Sequence, residues 1–154
     1  MIVPMTREHI PQVAEIERLC FSEPWSEQAL SESLDSQYSH FYVYLDGDRV
    51  TGYMGLYAVA GEGSVTNVAT HPDSRGRGIG TALVKNALEV GKRLELEYIF
   101  LEVRESNVIA QGLYEKCGFE AVGKRKGFYA MPKEDAVVMR CEASQMMHVL
   151  DDEE

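Results

Sequence analysis

Hydrophobic and polar positions change period several times along the chain, and each change marks an element. Ile2 to Met5 reads as a short first strand. Thr6 then stands as an N-cap before Arg7-Glu8-His9-Ile10, and Ile10, Val13, Ile16 and Leu19 keep helical spacing. Pro24 interrupts. Ser26 caps a second short helix, with Ala29, Leu30 and Leu34 on one face and Glu27 in the first turn. The pattern then turns β-rich. Phe41-Tyr42-Val43-Tyr44-Leu45 ends at the hairpin signal Asp46-Gly47-Asp48. Val50 to Ala60 is a long strand that turns at Gly61-Glu62-Gly63, and Ser64 to Thr70 is the next. From Gly78 to about Leu94 a helix carries Ile79, Leu83, Ala87, Leu88 and Val90 on its apolar side. Tyr98 to Val103 is a compact apolar strand, and Val108 to Cys117 a short helix stopped by Gly118. Phe119 to Val122 and Ala136 to Cys141 read as two last strands, joined by a Gly/Pro-containing segment from Gly127 to Asp135. The order β-α-α-β-β-β-α-β-α-β-β predicts an α/β fold whose mixed sheet has antiparallel hairpins and helix crossovers.

Composition narrows the class. A chain of 154 residues reads as one domain, able to bury about 70% of the surface its unfolded form exposes. Hydrophobic residues make up 45% and charged residues 26%, the balance of a soluble globular protein. No apolar run approaches the roughly 20 residues that span a bilayer, and the N-terminus lacks the basic and apolar regions of a secretory signal. Cys20, Cys117 and Cys141 fit neither a disulfide framework nor a zinc pattern. A cytoplasmic protein without membrane association is expected. The net charge of −10 argues against nonspecific nucleic-acid binding and favours a basic partner such as a cationic peptide. It also serves solubility alone, and the end Asp151-Asp152-Glu153-Glu154 contributes to it. Residues 142–154 are expected to be a flexible acidic tail, leaving 1–141 as the folded domain.

The candidate chemistry starts where the strand ending at Thr70 meets His71-Pro72-Asp73-Ser74-Arg75-Gly76-Arg77-Gly78-Ile79-Gly80-Thr81. A Gly-rich loop opening a helix presents backbone N–H groups at the positive end of the helix dipole. Glycines let the chain turn tightly and an anion come close. Arg75 and Arg77 add charge-assisted donors for phosphate oxygens. The loop lacks the Lys-Ser/Thr of a nucleoside-triphosphate loop and the spacing of a dinucleotide fingerprint. A simple turn stays open as the plain alternative.

A second cluster runs from Leu101 to Phe119. Glu102 alternates with Leu101 and Val103, so its carboxylate points to the opposite face. A partly desolvated carboxylate there suits a general base, though an ion-paired strand residue looks the same in sequence. Asn107 caps the following helix or contacts a ligand. Tyr114, about two turns on, either packs the core or offers a phenol as general acid. Trp25, beside Pro24, either walls a groove or packs two helices together, and Phe128-Tyr129 invites the same two readings. His9, His40, His71 and His148 lack metal-ligand spacing, and no metal is expected.

Arg75-Gly76-Arg77-Gly78-Ile79-Gly80 resembles the Q/R-x-x-G-x-G/A motif of the GCN5-related N-acetyltransferase (GNAT) superfamily. Asn107 to Phe119 resembles its N-x-x-A-x-x-L-Y-x-x-x-G-F motif at every fixed position. The resemblance covers about residues 1–141. It implies a mostly antiparallel central sheet with flanking helices and a splay between the fourth and fifth strands. It implies acetyl-CoA as co-substrate. The pyrophosphate would lie on Arg75, Gly76, Arg77, Gly78, Ile79, Gly80 and Thr81, the pantetheine arm along Val68, Ala69 and Thr70, and Asn107 would be a further cofactor contact.

Within the family, Phe21-Ser22-Glu23-Pro24-Trp25-Ser26, Leu101 to Asn107, and Glu134-Asp135-Ala136 with Met139 are similar to the RimI-type branch. That branch acetylates the N-terminal alanine of ribosomal small-subunit protein eighteen. The similarity implies Glu102 as general base, Tyr114 as general acid, Trp25 and Tyr129 as substrate-binding residues, and a basic ribosomal-protein N-terminus as partner. The branch usually has a Tyr pair where this chain has Phe128-Tyr129. A lysine side chain or small amine as acceptor, and a silent acyl-CoA-binding module, remain as alternatives.

Overall fold

The computed structural model describes residues 1–151. Strands β1 (Ile2–Pro4), β2 (Ser39–Asp46), β3 (Arg49–Val59), β4 (Glu62–Thr70), β5 (Tyr98–Arg104), β6 (Glu120–Ala130) and β7 (Lys133–Glu142) form one sheet in the order β1-β2-β3-β4-β5-β7-β6. All neighbouring pairs are antiparallel except β4 with β5. Helices α1 (Ile10–Cys20) and α2 (Glu27–Asp35) cover one face, against Phe41, Val43, Tyr53 and Ala69. Helices α3 (Ile79–Arg93), α4 (Val108–Lys116) and α5 (Ala143–Asp151) cover the other, against Met54, Leu56, Ile99, Leu101, Val103 and Met139. The sheet thus separates two cores, and successive residues of each strand feed opposite ones.

The parallel junction is short. Only Glu62–Ser64 pair with Tyr98–Phe100. Against β3, the register jumps from Gly55↔Asn67 to Leu56↔Val65, so Thr66 is an extra residue in β4. Such a bulge bends the strand and increases its twist. Among the described residues β4 has no strand partner on the β5 side beyond Ser64, and the two strands part into a V.

Three expectations are corrected. The last two strands are far longer than 119–122 and 136–141: they form a hairpin turning at Met131 and Pro132, within what reads as a connecting segment. Within β6 only Tyr129 is even partly buried, so this edge strand has no apolar alternation to reveal it. The expected flexible tail is ordered through 151. Glu142 ends β7, and α5 docks Met146, 1% exposed, with Val149 and Leu150 on the core beneath α3. Met146, Val149 and Leu150 stand at i, i+3 and i+4, the spacing of one helix face. The rest of that tail, 152–154, lies outside the described residues. Finally, Leu19 is 51% exposed, whereas Glu17 is 1% exposed. At 100° per residue Glu17 falls within about 20° of Ile10 around α1, while Leu19 falls on the opposite side.

Candidate active site

The glycine-rich loop is held from behind. His71 N–H donates to Thr51 O at 2.8 Å, and His71 Nδ1 accepts from Asp73 N–H at 3.1 Å, closing a 3₁₀ turn over Pro72–Ser74. Gly76 and Gly78 then take φ of +81° and +77°, the left-handed region that glycine enters without strain. Gly78 is the N-cap of α3 and supplies no side chain to cap it. The first-turn N–H groups of this 15-residue helix therefore have no side-chain cap. The bound group implied by the sequence, a pyrophosphate on a pantetheine arm, fits this loop and the unpaired β4 edge beside it.

Not every loop residue faces a ligand with its side chain. Ile79 is 5% exposed and Ala69 is 5% exposed, both in the core, so only their backbone can serve. Arg75 reaches back to Cys20 Sγ at 3.5 Å, and Cys20 donates to Thr70 O at 3.4 Å, tying the loop to the end of α1. Arg77 is exposed beyond the cleft.

A cleft of about 570 Å³ occupies the V between β4 and β5. Trp25, Val68, Glu102, Asn107, Tyr114 and Tyr129 all line it. Residues from five separate stretches of the chain thus meet in one place. Leu101 and Val103 are buried in the α3/α4/α5 core, so alternation puts Glu102 on the α1/α2 face. Its carboxylate is 26% exposed and lies 3.6 Å from Arg125 Nε on β6. Tyr114 comes from the opposite face. It stacks edge-on to Phe119 at 6.1 Å and packs on the α3/α4/α5 core. Burial, with Tyr129 and Cys117 nearby, pushes its phenol up to about 12. Asn107 caps α4 by accepting from Ala110 N–H at 3.1 Å while it borders the cleft. Trp25 lines the cleft and packs on the α1/α2 core, 6.4 Å from the Phe41 ring of β2.

The outer wall is the β6–β7 hairpin, and Arg104 fastens it. The guanidinium donates to Pro132 O at 2.9 Å, Met131 O at 3.1 Å and Glu134 Oε1 at 3.1 Å, and lies 4.3 Å from the centre of the Tyr129 ring. Glu134 in turn accepts from Ser106 N–H at 2.6 Å. That bond and Arg104 hold its carboxyl below the usual range. Ser22 Oγ donates to Met131 O, so the α1–α2 loop and the hairpin meet across the cleft mouth.

Sequence reading missed Arg104, Glu17 and Asn67 as site residues. For Glu17 a signal existed, a charge within the buried arc of α1. Arg104 and Glu134 carry no local signal, because their partners are distant in sequence. Among the described residues no group of three or more His, Cys, Asp or Glu is placed to hold a metal ion.

Comparison with known proteins agrees with this geometry. The Acetyltransferase (GNAT) family model matches residues 10–119. A Bacillus subtilis protein, provisionally named a [ribosomal protein bS18]-alanine N-acetyltransferase, is 38% identical over 136 residues, covering 88% of this chain and 90% of that one. The N-alpha-acetyltransferase RimI of Mycobacterium tuberculosis is 31% identical over 142 residues, covering 88% of each. The crystal structure of the ribosomal-protein-S18-alanine N-acetyltransferase from Escherichia coli superposes with a TM-score of 0.86 at 25% identity, covering 93% of both chains. A spermidine N-acetyltransferase variant from Vibrio cholerae shares the fold, with a TM-score of 0.82 at 19% identity over 96% of this chain and 97% of that one. With the paired motifs, the parted strands and a matching family model over most of its length, the chain belongs to the acetyltransferase (GNAT) family.

Proposed function

We propose that this protein transfers the acetyl group of acetyl-CoA to the α-amino group of a protein N-terminus, with the N-terminal alanine of ribosomal protein bS18 as acceptor. The observation that carries the reading is that Glu102 and Tyr114 enter one cleft from opposite faces of the parted sheet. The relatives' names supply the acceptor.

When bound, acetyl-CoA supplies a thioester carbonyl and a thiolate leaving group. The loop from Arg75 to Thr81, the β4 edge at Val68, Ala69 and Thr70, and Asn107 would hold it. An α-ammonium group has a pKa of about 7.7–8.0, so much of it carries an extra proton at neutral pH. Glu102, directly or through a water, takes that proton. The amine nitrogen then bonds to the carbonyl carbon, and an N–H of the β4 edge near Val68 stabilises the charge growing on the carbonyl oxygen. As the carbon–sulfur bond breaks, the nitrogen loses its second proton, Tyr114 donates a hydrogen bond toward the sulfur, and the thiolate takes up a proton to leave as the thiol. A phenol near 12 stays protonated through the neutral range. An ordinary thiol has a pKa of about 8.5, so Tyr114 acts chiefly as a strong hydrogen-bond donor to the departing sulfur.

The acceptor enters on the α1/α2 face, where Trp25 and Tyr129 wall the way to Glu102. The chain's acidity, −10 overall, attracts a basic protein segment, and a ribosomal acceptor places the reaction in the cytoplasm. The test is a thiol-release assay over short basic peptides varied at the first residue, with mass spectrometry of the products. Acetylation of the α-amine of an Ala-Arg peptide is expected. Acetylation confined to lysine side chains or free polyamines overturns the acceptor, and cofactor binding without thiol release on any amine overturns the enzyme.

A further inference from the structure

The cleft contains a buried polar cluster that the steps above do not use. Glu17 on α1 is 1% exposed, Tyr53 on β3 0% and Asn67 on β4 8%. Glu17 Oε1 accepts from Trp25 N–H at 2.8 Å, and Oε2 accepts from the Tyr53 hydroxyl at 2.8 Å. The Asn67 amide lies near both and favours their charged forms. Burial raises the Glu17 carboxyl above its ordinary range, against the pull of these donors. A carboxylate can only accept, so the favourable orientation of the Asn67 amide has its NH₂ on the side of Glu17. That orientation leaves Asn67 Oδ1 buried and without a hydrogen-bond partner among the described residues, in the wall of the cleft. A buried acceptor of this kind is unfavourable unless something donates to it.

We propose that Asn67 is a second anchor for the acceptor amine, its Oδ1 accepting one N–H while Glu102 takes the proton from nitrogen. The idea rests on the reading of Glu102 as the base. Val68 packs on the α3/α4/α5 core and Ala69 on the α1/α2 core, so alternation along β4 puts the Asn67 side chain with Ala69 on the α1/α2 face, the same face as Glu102. The two residues lie on β4 and β5, the strands that part. An amine entering between them meets an acceptor on each side. After deprotonation two N–H bonds remain; Oδ1 holds one of them and so directs the lone pair toward the carbonyl carbon. Glu17 and Tyr53 are positioning residues, which fix the amide so that oxygen and not nitrogen faces the cleft. The amide groups of the pantetheine arm offer N–H donors too. That arm would run along the β4 backbone edge, in the plane of the sheet, whereas the Asn67 side chain stands off one face.

Two variants of the full chain test this with acetyl-CoA and a peptide beginning Ala-Arg. Asn67→Ala should raise the peptide KM by about tenfold or more, the scale of one hydrogen bond to a charged donor. The acetyl-CoA Kd by isothermal titration should stay within about twofold. Glu17→Gln keeps the shape and offers an N–H in place of a carboxylate oxygen. Asn67 can then turn its oxygen inward, and the same rise in peptide KM is expected with native circular dichroism. If Asn67→Ala does not fold, Glu17→Gln carries the test. A weakened acetyl-CoA Kd with unchanged peptide KM would assign Oδ1 to the cofactor arm and overturn the proposal. So would two variants in which neither quantity moves. Wild-type turnover of free polyamines alone would overturn the peptide reading separately, and the Asn67→Ala comparison is then scored on the polyamine KM.

Discussion

On one side of the cleft, the loop from Arg75 to Gly78 offers an anion backbone N–H groups and glycines at positive φ. On the other, Glu17, Glu102 and Glu134 stand among Trp25, Phe128 and Tyr129, each carboxylate hydrogen-bonded or ion-paired. The first side carries fixed dipoles that need no proton and change little with pH. The second manages protons, and its carboxylates are useful only in the right ionisation state and direction. Binding the cofactor and activating the acceptor are therefore separable, because different physics holds each. The splay lets them meet, since there the two faces of the sheet open into one cleft.

The separation can be broken from either side. The largest expected effect is on the proton side. Glu102→Gln should lower kcat by about 10²- to 10⁴-fold, the usual range for general-base catalysis, while calorimetry finds acetyl-CoA affinity near wild type. Unchanged turnover would remove Glu102 from the chemistry. On the dipole side, Gly78→Val forces a β-branched residue into a left-handed conformation and should raise the acetyl-CoA Kd by about tenfold or more. Peptide KM at saturating cofactor should barely move; a parallel change in both would show the two sides coupled. Tyr114→Phe should slow turnover by about tenfold, with the loss seen in single-turnover thiol release. Full activity would reduce Tyr114 to its packing against Phe119. Away from both sides, Met146→Ala should cost about 2–5 kcal/mol in urea unfolding with kcat unchanged at saturating substrate.

The smallest effect concerns pH. The Glu134 carboxyl is held low by Ser106 and Arg104. A lowered folded pKa means the unfolded form binds the proton first as pH falls. The stabilisation is full above the ordinary carboxylate range and fades as pH drops through the lowered value. The hairpin should therefore loosen in acid, read as a lower protection factor at the Ser106 amide once the intrinsic exchange rate at each pH is divided out. Glu134→Gln should make that protection factor less dependent on pH.

Legibility followed contiguity. The loop and the Asn107–Phe119 stretch are each continuous, so spacing alone shows a phosphate-like cradle and a capped helix carrying Tyr114. Glu102 is legible because strand alternation needs only its two neighbours, Leu101 and Val103. The β6–β7 hairpin was hidden because β6 is an exposed edge with no buried face to impose a period. Helix α5 was hidden behind the charged end that follows it, although Met146, Val149 and Leu150 keep helical spacing. Glu17 was hidden because an acidic residue on a helix is assumed to face water, yet its angle around α1 places it beside Ile10.

The amino-acid sequence by itself determined the order of elements from β1 to β7, a glycine-rich loop suited to an anion and the residue types expected of an acetyl-transfer site, because local geometry and short-range periodicity need only near neighbours. The tertiary structure alone decided that β4 and β5 part after Ser64, that Glu102 and Tyr114 reach the gap from opposite faces, and that Arg104 pins the hairpin. It also set Asn67 near the buried Glu17, which favours one orientation of its amide. These outcomes depend on hydrogen bonds and burial between residues far apart in the chain, such as Glu17 with Tyr53, 36 positions away. Only the packed sheet brings such residues within reach of one another.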